Sequence, residues 1–385
     1  MIINYGSHFI DKNDIKSVVK VLKSKNLTQG RYVENFENNL KKYFGFRYCK
    51  VLSNGTAALH LAIKSLKIKK NCKVLTSPLT FIASASSILM NDLRPEFVDI
   101  NNIDYTIDLN KTEDALKKNK DIKAIIGIDY AGHPCDWYSL NFLKKKYKIW
   151  LINDNCHAMG ARINHSTQYT SKYCDIITQS YHAVKNITTG EGGSILTNSF
   201  KIDERIKRLR NHGMVRNGNI SKKFGLWRYT VDQYGFNYRL TDIQCALGIS
   251  QLKKLNTFVY KRKAIAAYYN SKFKNNHFFC TPKEKKNFSH AYHIYPLLIN
   301  FKLLKIDKKT FFKEMLKKKI KLQVHYTPLY MQKFLKKFNF SKKDYPVTED
   351  FYRREVSIPI FYDLKKKMQD SIVSKLLSVI NRYAK

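Results

Sequence analysis

At 385 residues the chain is long enough for two domains, or a large and a small one, sharing a substantial core. Its 44% hydrophobic and 13% aromatic content excludes a disordered protein, while the lack of a long uncharged apolar run or a signal-type amino terminus argues for a cytoplasmic protein with no membrane partner. The formal charge of +40 raises nucleic acid as a partner, yet the lysines are dispersed over stretches such as LKKKYK, FFKEMLKKKIK and FLKKFNFSKKD, and no helix-turn-helix or RNP-type element is present, so no specific nucleic-acid binding is expected.

Asp11 to Lys25 reads as an amphipathic helix with Ile15, Val18, Val19 and Leu22 on one face. The turn NLTQG follows, in which Thr28 and Gln29 are ordinary loop residues unless a ligand claims them. Val33 to Phe44 is a second helix, with Gly45 as its C-cap. Tyr48 to Leu52 reads as a strand, Ser53 to Gly55 as a tight turn and Thr56 to Leu66 as a helix. The start of such a helix offers unpaired backbone N–H groups, which makes it a phosphate site in some strand-turn-helix units and nothing at all in many others. Lys73 to Thr76 is the next strand, and Phe81, shortly after it, is by default a core aromatic.

From Glu96 to Ile100, Ala124 to Asp129 and Ile149 to Asn153, apolar strands alternate with helix-like segments, the rhythm of a mostly parallel sheet with helices on both faces. Asp154 follows at the carboxyl end of a buried strand, where open α/β sheets bind ligands. His157 comes one turn later, either as a ligand contact or as a satisfied structural histidine.

The stretch from Cys174 to Asn198, CDIITQSYHAVKNITTGEGGSILTN, is a loop held at both ends by strands, Asp175 to Ser180 and Ser194 to Thr197, with Gly190, Gly192 and Gly193 allowing a sharp turn and a close approach to a ligand. Lys185 sits at its middle. It either caps a hairpin or, desolvated, becomes a neutral nucleophilic amine able to condense with an aldehyde. A pyridoxal phosphate site needs such a lysine together with an acid for the pyridine nitrogen, and Lys185 with Asp154 supplies both.

Asp203 to Arg210 reads as a short helix and NHGMVRNGN as a connection. Gly235 to Leu252 runs from a turn, where Asn237 is a turn residue on its own merits, into a periodic helix with Ile243, Ala246, Leu247 and Leu252 along one side. Beyond about residue 252, lysine-rich helices alternate with strands at Ala291 to Asn300 and Lys321 to His325, which divides the chain into a large domain over 1–252 and a smaller α+β domain over 253–385. Seven scattered cysteines, without paired ligand spacing, point to free thiols and to neither a metal site nor a disulfide framework.

Taken in order, LTQGRYVENFENNL, SNGTAALHLA, PLTFIASAS, NDNCHAMGA, SYHAVKNITTGEGG and YGFNYRLTDIQCALGISQL resemble the sugar aminotransferases of the DegT/DnrJ/EryC1/StrS family over nearly the whole chain. The resemblance implies an α/β, aspartate-aminotransferase-like fold of type I, with a large mostly parallel-sheet domain and a smaller α+β carboxyl-terminal domain. It implies pyridoxal 5'-phosphate on Lys185, its phosphate held by Gly55, Thr56, Ala57 and Ser180. Phe81 would stack on the ring, Asp154 would meet the ring nitrogen, and His157 would reach the phenolic oxygen. Asn237 would reach the phosphate in the neighbouring subunit of a homodimer with shared active sites. Thr28, Gln29, His325 and Tyr326 would face a nucleotide-linked keto-sugar, and glutamate is the usual amino donor. The phrases NLTQG, DYAG, NHGM and QVHYTPLY are similar to family members that aminate C4 of a UDP-linked 4-keto-6-deoxy-N-acetylhexosamine in a pseudaminic acid type pathway; dTDP- or GDP-linked sugars aminated at C3 or C4 stay open. Related 3-dehydratases of the same fold carry histidine where this chain has Lys185.

Overall fold

Seven short apolar runs assemble into one sheet: β1 (Tyr48–Leu52), β2 (Lys73–Thr76), β3 (Arg94–Phe97), β4 (Ile122–Ile128), β5 (Trp150–Asp154), β6 (Ile176–Ser180) and β7 (Gly193–Thr197). The computed structural model describes residues 2–215 and 225–385; the end of the NHGMVRNGN connection, from residue 216, lies outside them. The strand order is β1-β7-β6-β5-β4-β2-β3. Strands β2 to β6 pair in parallel, and β7 runs antiparallel between β6 and β1. β4 is buried at every position but Lys123, because helices cover both faces of the sheet and leave no solvated side to alternate with.

The direction of the strands places the site. β1, β5 and β6 all end on one edge, so the turn after Leu52, Asp154 and Ser180 open onto the same crevice, the usual ligand position in an open α/β sheet. From β1 the chain turns into α1 (Gly55–Ser65), whose N-cap Asn54 accepts the N–H of Ala57 at 2.8 Å. Before it stand the two amino-terminal helices, α2 (Lys12–Leu22) and α3 (Arg31–Phe44). Gly45 ends the second of them at φ 74°, the left-handed cap expected of it.

The first amino-terminal helix departs from its expected packing. Val21 is buried, but Ile15, Val19 and Leu22 are 55%, 40% and 54% exposed. The helix docks instead through Asp14, whose buried carboxylate accepts Lys254 Nζ at 2.5 Å and Gln251 Nε2 at 2.8 Å. A paired and hydrogen-bonded charge tolerates burial, which turns the apolar stripe outward.

Lys254 and Gln251 belong to α4 (Asp242–Phe273), a 32-residue helix started by a Thr241/Gln244 capping box. Residue 252 lies inside this continuous helix, so the composition change there marks no linker. Its buried side is Cys245, Gly248, Leu255 and Val259, whereas Ile243, Leu247 and Leu252 of the expected stripe are only half-buried. A Cβ on Gly248 would lie 2.6 Å from the Phe36 ring, so the amino-terminal helices approach α4 across its small residues.

The carboxyl-terminal part has its own antiparallel sheet, β8 (Phe279–Cys280), β9 (Tyr295–Ile299) and β10 (Glu355–Ile358), in the order β8-β9-β10. Tyr269, Tyr295, Phe311, Ile372 and Ile380 form a separate core around it. The strand expected over Lys321 to His325 is absent. Only Gln323 bridges Ser357, after which the chain leaves the sheet and crosses toward the crevice. Among the described residues no helix is long and apolar enough to cross a membrane, and no cluster of side chains suits a metal ion.

Candidate active site

A cavity of about 990 Å³ opens at the carboxyl edge of the large sheet. Its floor carries Asp154, Cys156 and His157, one side carries Asn54 to Ala57 and Ser180, and Lys185 enters from the loop between β6 and β7. Thr80 to Ala83 form another wall, and Gln323 to Thr327 close over the top from the carboxyl-terminal part. Gly55, Thr56, Ala57, Phe81, Asp154, His157, Ser180, Lys185, His325 and Tyr326 are thus brought together from both halves of the chain. Thr28, Gln29 and Asn237 are exposed and do not line this cavity within their own chain.

The lysine loop is tied at its base by Tyr181 N–H to the Gly192 carbonyl at 2.8 Å and Thr189 N–H to the Tyr181 carbonyl at 3.0 Å. Asn186 anchors the far side, donating to the Met159 carbonyl at 2.7 Å. At Gly193 a Cβ would stand 2.4 Å from the carbonyl oxygen of Asn54, so only glycine lets β7 and the start of α1 lie this close. Between these anchors burial lowers the pKa of the Lys185 amine, while Cys156 and Asp154 pull it the other way. The side chain is half-buried and lines the cavity.

Asp154, 6% exposed, accepts the Cys156 N–H at 3.2 Å and Ser84 Oγ at 3.4 Å. Beneath it Asp129, at the end of β4, is a hub the sequence reading missed. Its Oδ1 accepts from Cys135 N–H and Trp137 Nε1 at 2.8 and 2.9 Å, and its Oδ2 from Asn153, Asn155 and Tyr169 at 3.1, 2.6 and 3.1 Å. Burial lifts its carboxyl to about 6 in spite of these donors. The network locks the ends of β4 and β5, and with them the position of Asp154.

Besides the exposed His182, three buried histidines line the cavity. His157 Nε2 shares a hydrogen bond with the Tyr326 hydroxyl at 2.9 Å, and its Nδ1 is buried with no partner. His293, unremarked in the sequence, lies with its ring centroid 4.6 Å from that of His157. Burial, then the charge of Lys185, depresses both imidazoles well below their ordinary value, and lowers His325 to about 3. All three are neutral, so they offer hydrogen bonds without adding charge beside the lysine. Phe81 is 54% exposed at the cavity wall, with its ring centroid 5.8 Å from that of Tyr326. No local pattern marks Tyr5 or His293 as lining residues; only the tertiary fold brings them here.

The start of α1 completes a phosphate cradle. Ala57 N–H is taken by Asn54, which leaves those of Gly55 and Thr56 without an acceptor among the described residues. Ser180 lies against them, since a Cβ on Gly55 would be 2.8 Å from that of Ser180. Unpaired N–H groups at a helix start beside a hydroxyl suit an anion. The cradle, the lowered amine, the opposed carboxylate and the orphaned Nδ1 of His157 together fit pyridoxal phosphate.

An open α/β sheet with such a lysine and carboxylate at its carboxyl edge has the architecture of the pyridoxal-phosphate-dependent aminotransferases. The profile of the DegT/DnrJ/EryC1/StrS aminotransferase family matches residues 8–377, and the chain belongs to that family. It is 38% identical over 384 residues to a UDP-4-amino-4,6-dideoxy-N-acetyl-beta-L-altrosamine transaminase of Campylobacter jejuni, covering 100% of this chain and 99% of that one. The structure superimposes on Helicobacter pylori PseC, an aminotransferase involved in the biosynthesis of pseudoaminic acid, with TM-score 0.93, 31% identity and full coverage of both chains. A sugar aminotransferase of Streptococcus pneumoniae in its PLP-form matches with TM-score 0.90 and 25% identity, over 99% of each chain. The protein is therefore a sugar aminotransferase of the pyridoxal-phosphate-dependent class.

Proposed function

We propose that the protein moves an amino group from glutamate to the C4 keto group of a UDP-linked 4-keto-6-deoxy-N-acetylhexosamine, using pyridoxal 5'-phosphate held at Lys185. The observation that carries this reading is the convergence of the Lys185 amine, Asp154 and the open N–H groups of α1 on one cavity; the names of the full-length relatives supply the sugar. When bound, pyridoxal phosphate supplies an aldehyde for amine exchange and a sink for the electrons left at carbon.

The roles of this chain's own residues follow from their chemistry. Gly55, Thr56 and Ser180 would hold the phosphate, with Asn54 fixing the turn through Ala57. Asp154 would keep a proton on the pyridine nitrogen. Lys185 Nζ, its pKa lowered by burial, would carry the proton from the donor's α-carbon to the cofactor's C4′ carbon, and in the second half would carry one from C4′ to the sugar carbon that receives the amine. His157 and Tyr326 form a hydrogen-bonded pair on the side where the phenolic oxygen would lie, and Phe81 offers a ring face for stacking. His325 and Tyr326 close the cavity where a sugar would enter.

The active unit in this reading is a homodimer. Thr28, Gln29 and Asn237, outside their own chain's cavity and exposed, are free to reach the neighbour's. The test is incubation of the pure protein with pyridoxal phosphate, glutamate and a panel of UDP-, dTDP- and GDP-linked keto-sugars, followed by product mass and nuclear magnetic resonance. Amination at C4 of the UDP sugar is expected; faster conversion of a dTDP- or GDP-linked 3-keto sugar would refute the substrate assignment.

A further inference from the structure

We propose that Ser357 and Glu355 form a buried positioning pair that holds His325 in its Nδ1–H form, so that Nε2 presents a lone pair to a hydroxyl or amide N–H of the sugar. The proposal rests on the sugar-aminotransferase reading and adds a specificity-determining acceptor together with the two residues that set it.

Glu355 and Ser357 alternate along β10 and therefore share one face. Glu355 is 0% exposed, Ser357 1% and His325 6%. Ser357 Oγ lies 2.5 Å from Glu355 Oε1 and 2.8 Å from His325 Nδ1. A serine hydroxyl has one hydrogen, and an ionised carboxylate only accepts, so that hydrogen goes to Glu355. Facing Nδ1, the serine oxygen must then accept, and Nδ1 must carry the proton. His325 is neutral, its imidazole depressed by burial and by Lys185, so its second nitrogen is bare.

That nitrogen has no protein partner among the described residues, and it is not sealed from solvent in the way the orphaned Nδ1 of His157 is. The backbone that carries the ring is pinned on both sides, and the ring itself is held by Ser357. Glu355 Oε2 accepts the backbone N–H of His325 at 3.2 Å, and the Tyr130 hydroxyl donates to the His325 carbonyl.

Among the described residues no cation lies within ion-pair distance of the carboxylate. Lys308, the cation that acts on it most, donates instead to the Tyr352 carbonyl at 2.6 Å. Burial lifts Glu355 to about 7 against the pull of Lys308, so the relay is set in this sense above that pH. A lone pair fixed at the cavity wall favours a sugar bearing a donor at that place and repels one bearing a carbonyl there.

The deciding experiment is the ring state of His325 in the holoenzyme carrying isotope-labelled histidine, read by nitrogen magnetic resonance at about pH 8.5, above the Glu355 value, with the His325 signals assigned by their loss in His325→Gln. Protonated Nδ1 and bare Nε2 are expected; protonated Nε2 in the wild type overturns the proposal, and this needs no variant of the pair to fold. Kinetics supply the second arm. Ser357→Ala should raise KM for the UDP-linked 4-keto sugar about tenfold, with kcat and the KM for glutamate within about threefold, and Ser357→Thr should restore it. An unaltered keto-sugar KM in a folded Ser357→Ala protein also overturns it. Wild-type turnover reports separately on the functional reading, because the ring state of His325 is measured without any sugar present.

Discussion

At the scale of single residues the site depends on groups whose ionisation burial has altered. Lys185 is the plainest case. Lys185→Ala should lower turnover by about 10⁴-fold or more, since in the proposed function it removes both the attachment point and the proton carrier. Borohydride treatment of the holoenzyme followed by peptide mapping should place the pyridoxyl label on Lys185, and a label on any other lysine would contradict the site. His325 gives a stability test. Its folded value is about 3 against an ordinary 6.5. Above pH 6.5 both folded and unfolded chains are neutral there; below it the unfolded chain takes up a proton that the folded one refuses. Stability is thus present above pH 6.5 and is lost as pH falls toward 3, by about 1.4 kcal/mol per unit once well below 6.5. Glu355 acts in the opposite direction, because its raised value stabilises the fold at low pH and that contribution is lost as pH rises through about 7. Thermal melts of the apo protein from pH 7.5 to 5 (roughly the window these shifts define) should fall less steeply for His325→Gln than for the wild type.

At the scale of elements, the lysine loop and the helix start after β1 are one device, joined at Gly193 and Asn54. Gly193→Ala pushes a methyl to within 2.4 Å of the Asn54 carbonyl oxygen, and relief requires the turn that carries Gly55 and Thr56 to move. We expect a loss of about 1–3 kcal/mol in urea denaturation, as for overpacked interiors, and weaker pyridoxal phosphate binding in a spectroscopic titration. An unchanged denaturation midpoint with unchanged cofactor affinity would show that the close approach is not what holds the cradle. The amino-terminal helix teaches a different lesson about elements. Its apolar stripe is legible, but the side that packs is chosen by Asp14 finding Lys254 and Gln251 on α4.

At the scale of the whole molecule, the proposed homodimer would carry the exposed Asn237 to the neighbouring site. Lys185→Ala and Asn237→Ala proteins should each be impaired alone. Co-refolding them places one intact site and one doubly broken site in every mixed dimer, so roughly a quarter of all sites should recover if subunits exchange freely. Recovery no better than the mean of the two variants, with mixed dimers verified by mass, would put Asn237 outside the partner's site. The exposed Ile15, Val19 and Leu22 are apolar surface that such an assembly could cover.

The sequence by itself determined the local elements and the chemistry-bearing loop. Tyr48–Leu52 and Lys73–Thr76 were readable to the residue, because short β-branched and apolar runs between turn residues have few alternatives. Lys185 and Asp154, which the structure places on one cavity, stand out in the sequence because the glycine-rich loop and the strand-end carboxylate are contiguous patterns. Tertiary structure alone decided that α4 runs unbroken through residue 252, that Lys321 to His325 leaves the sheet, and that Asp129 braces Asp154. It alone joined Glu355 and Ser357 to His325, some thirty positions earlier. Those outcomes depend on which buried polar group finds which partner, a matter of three-dimensional approach that leaves no periodicity along the chain.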